Sequence, residues 1–229
     1  MTHFGSDLVR LPITRGVLRG RWWLPASRGK ILRILGGTYE PEQTRAFQKL
    51  LQPGDTVLDV GAHVGYYTLL ASVLVGDKGR VFSFEPDPRN ARFLRRHVHM
   101  NARQNVRVEE AAVSDARGSA RFERGTGSGT GHLAGSGGFE VRTLRLDDFC
   151  ADRGIAPAAV KIDVEGAEAA VLAGARETIL NARPVVFLST HGADVHAACL
   201  ARLAEAAYDV APIVGRDVET SSELLCTPR

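Results

Sequence analysis

GDTVLDVGAHVGYYTLLA, residues 54–71, decides how this chain is read. Its first half, DTVLDVG (55–61), is an apolar run broken only by Asp59, the pattern of a strand buried on both faces. Gly61 and Gly65 bound a short turn, and YYTLLASVLVG (66–76) continues as an apolar helix stopped by Gly76. Strand, glycine turn and helix in that order are the first half of a βαβ unit. Outward from it the same rhythm repeats. RVFSFEP (80–86), NVRVEEAAV (105–113), KIDVEG (161–166) and PVVFLST (184–190) read as four further strands. Asp87 can cap a helix that has Pro88 at its first position and Ala91, Leu94 and Val98 on one face. AEAAVLAGARETILN (167–181) reads as one helix between the fourth and fifth strands. Strands separated by helices pair in parallel through right-handed crossovers, so the expected fold is α/β: a doubly wound, mostly parallel sheet with helices on both faces.

The 229 residues are 44% hydrophobic and 24% charged, which excludes wholesale disorder and fits one large domain. Lys+Arg 29 against Asp+Glu 26 leaves a net charge of +3, too small to call for a nucleic-acid partner. No apolar run approaches the roughly 20 residues of a membrane helix. MTHFGSDLVR lacks the apolar stretch of a secretory signal. Cys150, Cys199 and Cys226 are odd in number and widely spaced, which suits a reducing compartment; the expected location is the cytoplasm.

Two regions break the rhythm. Residues 1–38 form an N-terminal extension in which 10–33 carry seven Lys or Arg, no acid, and both Trp22 and Trp23. Such an arm either packs its tryptophans on the domain or covers the acceptor site as a lid, and it is compatible with a homodimer. RGTGSGTGHLAGSGG (124–138) is too poor in apolar side chains to order itself and reads as a mobile loop, lying between hairpin strands ARFE (120–123) and FEVRTLRL (139–146). Residues 39–229 then form the main domain. AACLARLAEAAYDVAPIV (197–214) reads as a helix followed by a strand, whereas SSELLCTPR (221–229) could order or fray.

The chemistry sits where strands end. Gly61 and Gly65 let the backbone approach a ligand, and the helix after them offers unpaired N–H groups. Glu85 ends the second strand, 20 residues beyond Gly65, where an acid can accept the hydroxyls of a ribose. The turn lacks the middle glycine that admits the pyrophosphate of a nicotinamide dinucleotide. Asp59 would repel a phosphate but suits an ammonium. An adenosine carrying a sulfonium and an amino-acid tail, S-adenosylmethionine, meets all three conditions.

Four pieces in order, GDTVLDVGAHVGYYTLLA, VFSFEPDPRNARFLRRHVHMN, EEAAVSD and KIDVEGAEAAVLAG, resemble the FkbM-type S-adenosylmethionine-dependent methyltransferases, over roughly residues 38–192. The resemblance implies a Rossmann-like class I methyltransferase fold and O-methylation of sugars and natural products. It implies that Asp59, Gly61, Ala62 and Gly65 hold the methionine tail and Glu85 the ribose. Glu110 to Val113, Ala112 included, would face the adenine through backbone groups. Asp163 would lie beside the methyl, with Glu165 shaping the acceptor site, and Tyr39 and Glu40 would pack near the cofactor.

Methyl transfer from a sulfonium is an in-line displacement, so the protein must position an acceptor and remove its proton. Asp163 is the first candidate for base or orienting group, His191 the second, and His132, in the glycine-rich stretch, the third. The family pattern places an acid two residues before the histidine, whereas this chain has Ser189-Thr190-His191. His63 lies in the cofactor turn, and His97 and His99 read as surface. Asp163 and Glu165 start toward opposite sides of a strand, so a divalent metal is admitted as a cofactor but no metal ligand is assigned. The expected partner is a small-molecule acceptor, methylated on a hydroxyl of a sugar, a nucleoside or another secondary metabolite. The other readings are N- or carboxyl-methylation of a small molecule or peptide, disfavoured for amides by Asp-Val-Glu-Gly after the fourth strand, and a non-catalytic S-adenosylmethionine-binding module.

Overall fold

A computed structural model describes residues 9–27, 30–125, 131–134 and 137–229. Seven strands make the central sheet: β1 (Thr56–Val60), β2 (Arg80–Phe84), β3 (Val106–Glu109), β4 (Ala159–Ile162), β5 (Val185–Ser189), β6 (Tyr208–Pro212) and β7 (Glu223–Pro228). Their spatial order is β6-β7-β5-β4-β1-β2-β3. β3, β2, β1, β4 and β5 pair in parallel, and β7 runs antiparallel between β5 and β6. The helices are α1 (Ile31–Leu35), α2 (Pro41–Leu50), α3 (Tyr66–Val75), α4 (Pro88–Met100), α5 (Leu146–Arg153), α6 (Glu168–Ala173), α7 (Arg176–Ala182) and α8 (Ala193–Glu205). Among the described residues no helix is long and apolar enough to cross a membrane.

Alternation along each strand feeds a core on either face. Leu58, Phe84, Ile162 and Leu188 join one apolar cluster, while Val57, Val81, Ala159 and Phe187 join the other. Both faces are therefore covered, as uninterrupted apolar strands require. The expected doubly wound architecture is the one observed.

Several boundaries differ from the sequence reading. β4 begins at Ala159 and ends at Ile162, leaving Asp163 just beyond the sheet. The run 105–113 divides into β3 and a second strand, Ala112–Val113, that belongs to another sheet. The single helix expected over 167–181 is two, α6 and α7, separated at Gly174. A Cβ on Gly174 would come within 2.1 Å of the Ser114 carbonyl oxygen, so that close approach demands glycine. The 221–229 segment supplies β7, with Leu224 and Cys226 fully buried.

Ala112–Val113, Phe139–Leu144, Gly118–Glu123 and His132–Ala134 form a second, four-stranded sheet. The expected hairpin is present, with Phe122 opposite Phe139. Within the stretch read as a mobile loop, His132–Ala134 is a strand paired with Arg121–Glu123; residues 126–130 and 135–136 lie outside the described set.

The basic arm packs on the domain. Ile13, Leu18, Trp23 and Leu24 are buried, and Leu11–Pro12 pairs with Trp22–Trp23. His97 is buried rather than at the surface, because its ring stacks on Trp23 with centroids 3.8 Å apart. Its Nε2 accepts from the Leu24 N–H at 3.0 Å, which makes Nδ1 the donor to the Val64 carbonyl at 2.7 Å. Asn101 receives the Trp22 N–H and returns a bond to the Trp22 carbonyl. The arm is thereby bolted to α4 and to the turn that follows β1.

That turn is tied to β4 by backbone contact. Gly61 has φ +80°, and a Cβ on it would lie 1.8 Å from the Asp163 carbonyl oxygen. Gly61→Ala combines a left-handed backbone with a collision against main chain, and it should cost about 3 kcal/mol or more. A thermal melt should show Tm lowered by roughly 6 °C or more; a melt within 2 °C of the native one would contradict the contact.

Burial pushes the His97 pKa down to about 4 from the ordinary 6.5, against the bond to Val64, which favours the charged ring. A depressed histidine contributes stability that is fully present above pH 6.5 and is lost as pH falls through 4. The loss should reach at most about 3 kcal/mol. Urea unfolding of the native protein and of His97→Gln between pH 7 and pH 4 checks this, since the variant should show the shallower decline.

Candidate active site

The C-terminal ends of β1, β2, β4 and β5 converge on one edge of the sheet, where open α/β sheets bind ligands. After β1 the chain passes through Gly61 and Gly65, both at positive φ, into α3. Leu94 crowds Gly65, leaving no room for a Cβ there.

Glu85 lies just past β2 and is nearly inaccessible. Its Oε2 accepts the His63 N–H at 2.8 Å, and Oε1 accepts the Asp87 N–H at 2.9 Å and Asn90 Nδ2 at 3.3 Å. Burial nonetheless raises its pKa to about 7. A carboxylate offers about four acceptor positions, and three are occupied, so Glu85 can take one further donor unless the longer Asn90 bond yields.

Asp59, on β1, is buried. Burial raises its pKa, opposed by the Lys161 charge and by the Thr68 hydroxyl, which donates to Oδ2 at 2.5 Å. Its Oδ1 has no hydrogen-bond partner among the described residues. Glu40, in left-handed conformation ahead of α2, accepts the Tyr67 hydroxyl at 2.5 Å. Ala62 is buried within the turn.

Lys161 and Glu168 lie inside KIDVEGAE, yet their roles escaped the sequence reading. Lys161 is only 2% exposed in the middle of β4, and its Nζ reaches Asp163 Oδ2 at 3.1 Å. A lysine within a buried strand must find an anion, and that rule alone is the signal that could have singled it out. Burial opposes ionisation of Asp163, but the Lys161 ammonium outweighs it and holds the carboxyl below its usual range. Asp163 is therefore suited to orienting an acceptor rather than to lifting its proton.

Asp163, Glu165 and His191 come together, each with roughly a third of its side chain open to solvent. Their ligand-type atoms all lie within 4.8 Å of one another. Alternation would send Asp163 and Glu165 to opposite sides, but β4 has already ended, and Glu165 adopts φ +58°, which turns its carboxylate back toward His191. Glu168, wholly buried at the start of α6, accepts from His191 Nδ1 at 2.8 Å and from the Val164 and Gly166 N–H groups through the same oxygen. Glu168 thus orients the histidine, the task expected of an acid two residues before it. At that earlier position Ser189 donates to Glu223 of β7 at 2.8 Å. The Glu168 bond, with the charges of Glu165 and Asp163, raises the His191 pKa to about 9.

The other expected residues are placed less centrally. His132 is exposed on its strand, close enough for its charge to act on Glu165. Glu110 is exposed and its carboxylate pairs with Arg95 at 2.6 Å. Ala112 is buried in the second sheet.

Residues 59–210 match the methyltransferase FkbM domain family, well over half of the chain. The 2-O-methyltransferase NoeI of Sinorhizobium fredii is 32% identical over 58% of this chain and 63% of its own length. The 31-O-demethyl-FK506 methyltransferase FkbM of Streptomyces tacrolimicus is 35% identical over 56% of this chain and 62% of its own. In both cases the chain spans under two thirds of the relative's length. The crystal structure of methyltransferase FkbM from Methylobacillus flagellatus superposes with TM-score 0.56 at 19% identity, covering 86% of this chain and 52% of that one. A family match from Asp59 to Val210, on a sheet of this order with a glycine turn after its first strand, makes the chain a member of the FkbM methyltransferase family.

Proposed function

We propose that this protein transfers a methyl group from S-adenosylmethionine to a hydroxyl of a sugar or of another natural product. The observation that carries the reading is the Asp163–Glu165–His191 group, about a third open to solvent and joined through the Asp163 backbone to the Gly61 turn. The names of the relatives, which specify O-methylation, support the same chemistry.

The residues present fit the donor. Asp59 Oδ1, buried without a partner, is an acceptor in want of an ammonium, and Glu85 keeps a position for one ribose hydroxyl. When bound, S-adenosylmethionine supplies an activated methyl on a sulfonium that departs as a neutral thioether. Asp163, kept ionised by Lys161, fixes the direction of the acceptor hydroxyl, and the hydroxyl proton passes to the Glu165 carboxylate, held beside His191, as the oxygen–carbon bond forms. A carboxylate acceptor would have no proton to lose and would face the charges of Asp163, Glu165 and Glu168, so transfer to a hydroxyl is favoured over transfer to a carboxyl. In this reading residues 39–229 carry the chemistry and the arm braces its cofactor turn. Cys150, Cys199 and Cys226, all buried and unpaired, suit the reducing cytoplasm.

Calorimetry should find S-adenosylmethionine bound with micromolar affinity, weakened at least tenfold in Glu85→Ala. The ionised Glu85 is the form that accepts a hydroxyl, and its pKa is about 7. Affinity should therefore fall roughly tenfold from pH 8 to pH 6, and Glu85→Gln should flatten that dependence. Absence of binding by the folded native protein would overturn the donor assignment. Glu165→Gln and His191→Gln should each lower kcat on a hydroxylated acceptor by about 100-fold, with donor affinity within about threefold of native. Loss of donor affinity instead would move both residues into the cofactor site.

A further inference from the structure

We propose that Asp163, Glu165 and His191 bind one divalent cation, with Glu168 holding the histidine in the ligating form. The proposal concerns the site already described, but cation binding is measured without donor or acceptor and does not depend on the methyl-transfer reading.

The distances separate two kinds of contact. His191 Nδ1 meets Glu168 Oε1 at 2.8 Å, an ordinary hydrogen bond. On the other side of the ring, Nε2 stands 3.8 Å from Asp163 Oδ1 and 3.6 Å from Glu165 Oε2. Both separations exceed hydrogen-bond range. They do suit ligands of one ion, since a cation at about 2.1–2.3 Å from each of its ligands spaces neighbours by about 3–4 Å. The third separation is within 4.8 Å, so a movement of a few tenths of an ångström closes the set.

The surroundings are built in the same sense. Because Nδ1 donates to Glu168, Nε2 is the ring nitrogen that faces the gap, and a metal-bound imidazole typically gives its other N–H to a carboxylate in this way. Glu168 is wholly buried, and its Oε2 has no hydrogen-bond partner among the described residues. Its orientation is fixed instead by three donors on Oε1. Asp163 is divided between two tasks, with Oδ2 on Lys161 and Oδ1 turned to the gap. Three carboxylates therefore meet around one imidazole, and Lys161 neutralises only one of them. A divalent ion, taking the place of the proton on Nε2, supplies the positive charge that these acids call for. One nitrogen and two oxygen donors on a partly open edge leave coordination positions for oxygen atoms of an acceptor, and this donor mixture suits Mn2+ or a neighbouring first-row ion. In the methyl-transfer reading such an ion would hold a hydroxyl, or two adjacent hydroxyls of a sugar, beside Asp163 and ease loss of its proton.

Chelator-treated protein titrated with MnCl2, followed by loss of the free-ion electron paramagnetic resonance signal, should show one site of micromolar affinity. Glu165→Gln and His191→Gln should each weaken it at least tenfold, and Glu168→Gln by about tenfold through the histidine. A readout on the native protein guards against unfolded variants. Substoichiometric Mn2+ should broaden the His191 ring resonances before those of His97, which lies in the core behind the cofactor turn. No Mn2+ binding by the folded native protein, unchanged affinity in both ligand variants, or broadening that spares His191 would overturn the proposal. Mn2+ binding without any binding of S-adenosylmethionine would keep the cation site and remove the methyl-transfer reading.

Discussion

One buried ammonium organises the working edge of this protein. Lys161 lies in β4, in register with Asp59 of β1, and is sealed from water. An ion in that position costs several kcal/mol unless anions compensate it, so the lysine fixes where the neighbouring acids must be. Asp163 answers directly at 3.1 Å, and Asp59 contributes its charge from the adjacent strand. The Tyr67 ring lies 5.1 Å from Nζ, and its hydroxyl goes on to Glu40. Residues from β1, β4, α3 and the approach to α2 are thus arranged around a single positive charge. Removing it would leave Asp59 buried without a compensating cation.

Around that charge, carboxyl groups of identical chemistry acquire different characters. Asp163 is held low by its ammonium and Glu168 by its histidine, while burial raises Glu85 and Glu165. Groups pushed apart in this way can share out the tasks of orienting, accepting and binding that a group-transfer site needs. The histidine belongs to the same set, because Glu168 determines which of its nitrogens faces Asp163 and Glu165.

The sheet was legible in the sequence wherever a local pattern had one meaning. Apolar runs between glycine turns and helices identified β1, β2 and β5 to within a residue or two, because a strand buried on both faces has little freedom in composition. Glu85 and Asp59 were legible by position, each at a strand end. Features that depend on distant partners were not. The division of α6 from α7 follows from Gly174 meeting the Ser114 carbonyl, 60 positions away in the chain. His97 looked like one more polar residue on a basic helix, and only Trp23, far upstream, makes it core. The family pattern places an acid two residues before His191, but the acid that orients the ring is Glu168 of α6, 23 positions upstream, since spatial neighbours at a sheet edge are set by topology and not by spacing.

The position of β7 has a consequence for how the sheet is completed. The strand between β5 and β6 is contributed by Glu223–Pro228, after every other element of the sheet. Until that strand docks, β5 has one side of its ladder open, although Val186, Phe187 and Leu188 are as apolar as any strand in the domain. An open edge of that composition is a template for pairing with another chain. Until Glu223–Pro228 is in place, β5 carries an open apolar edge, and the partly formed sheet is most vulnerable to aggregation in that interval.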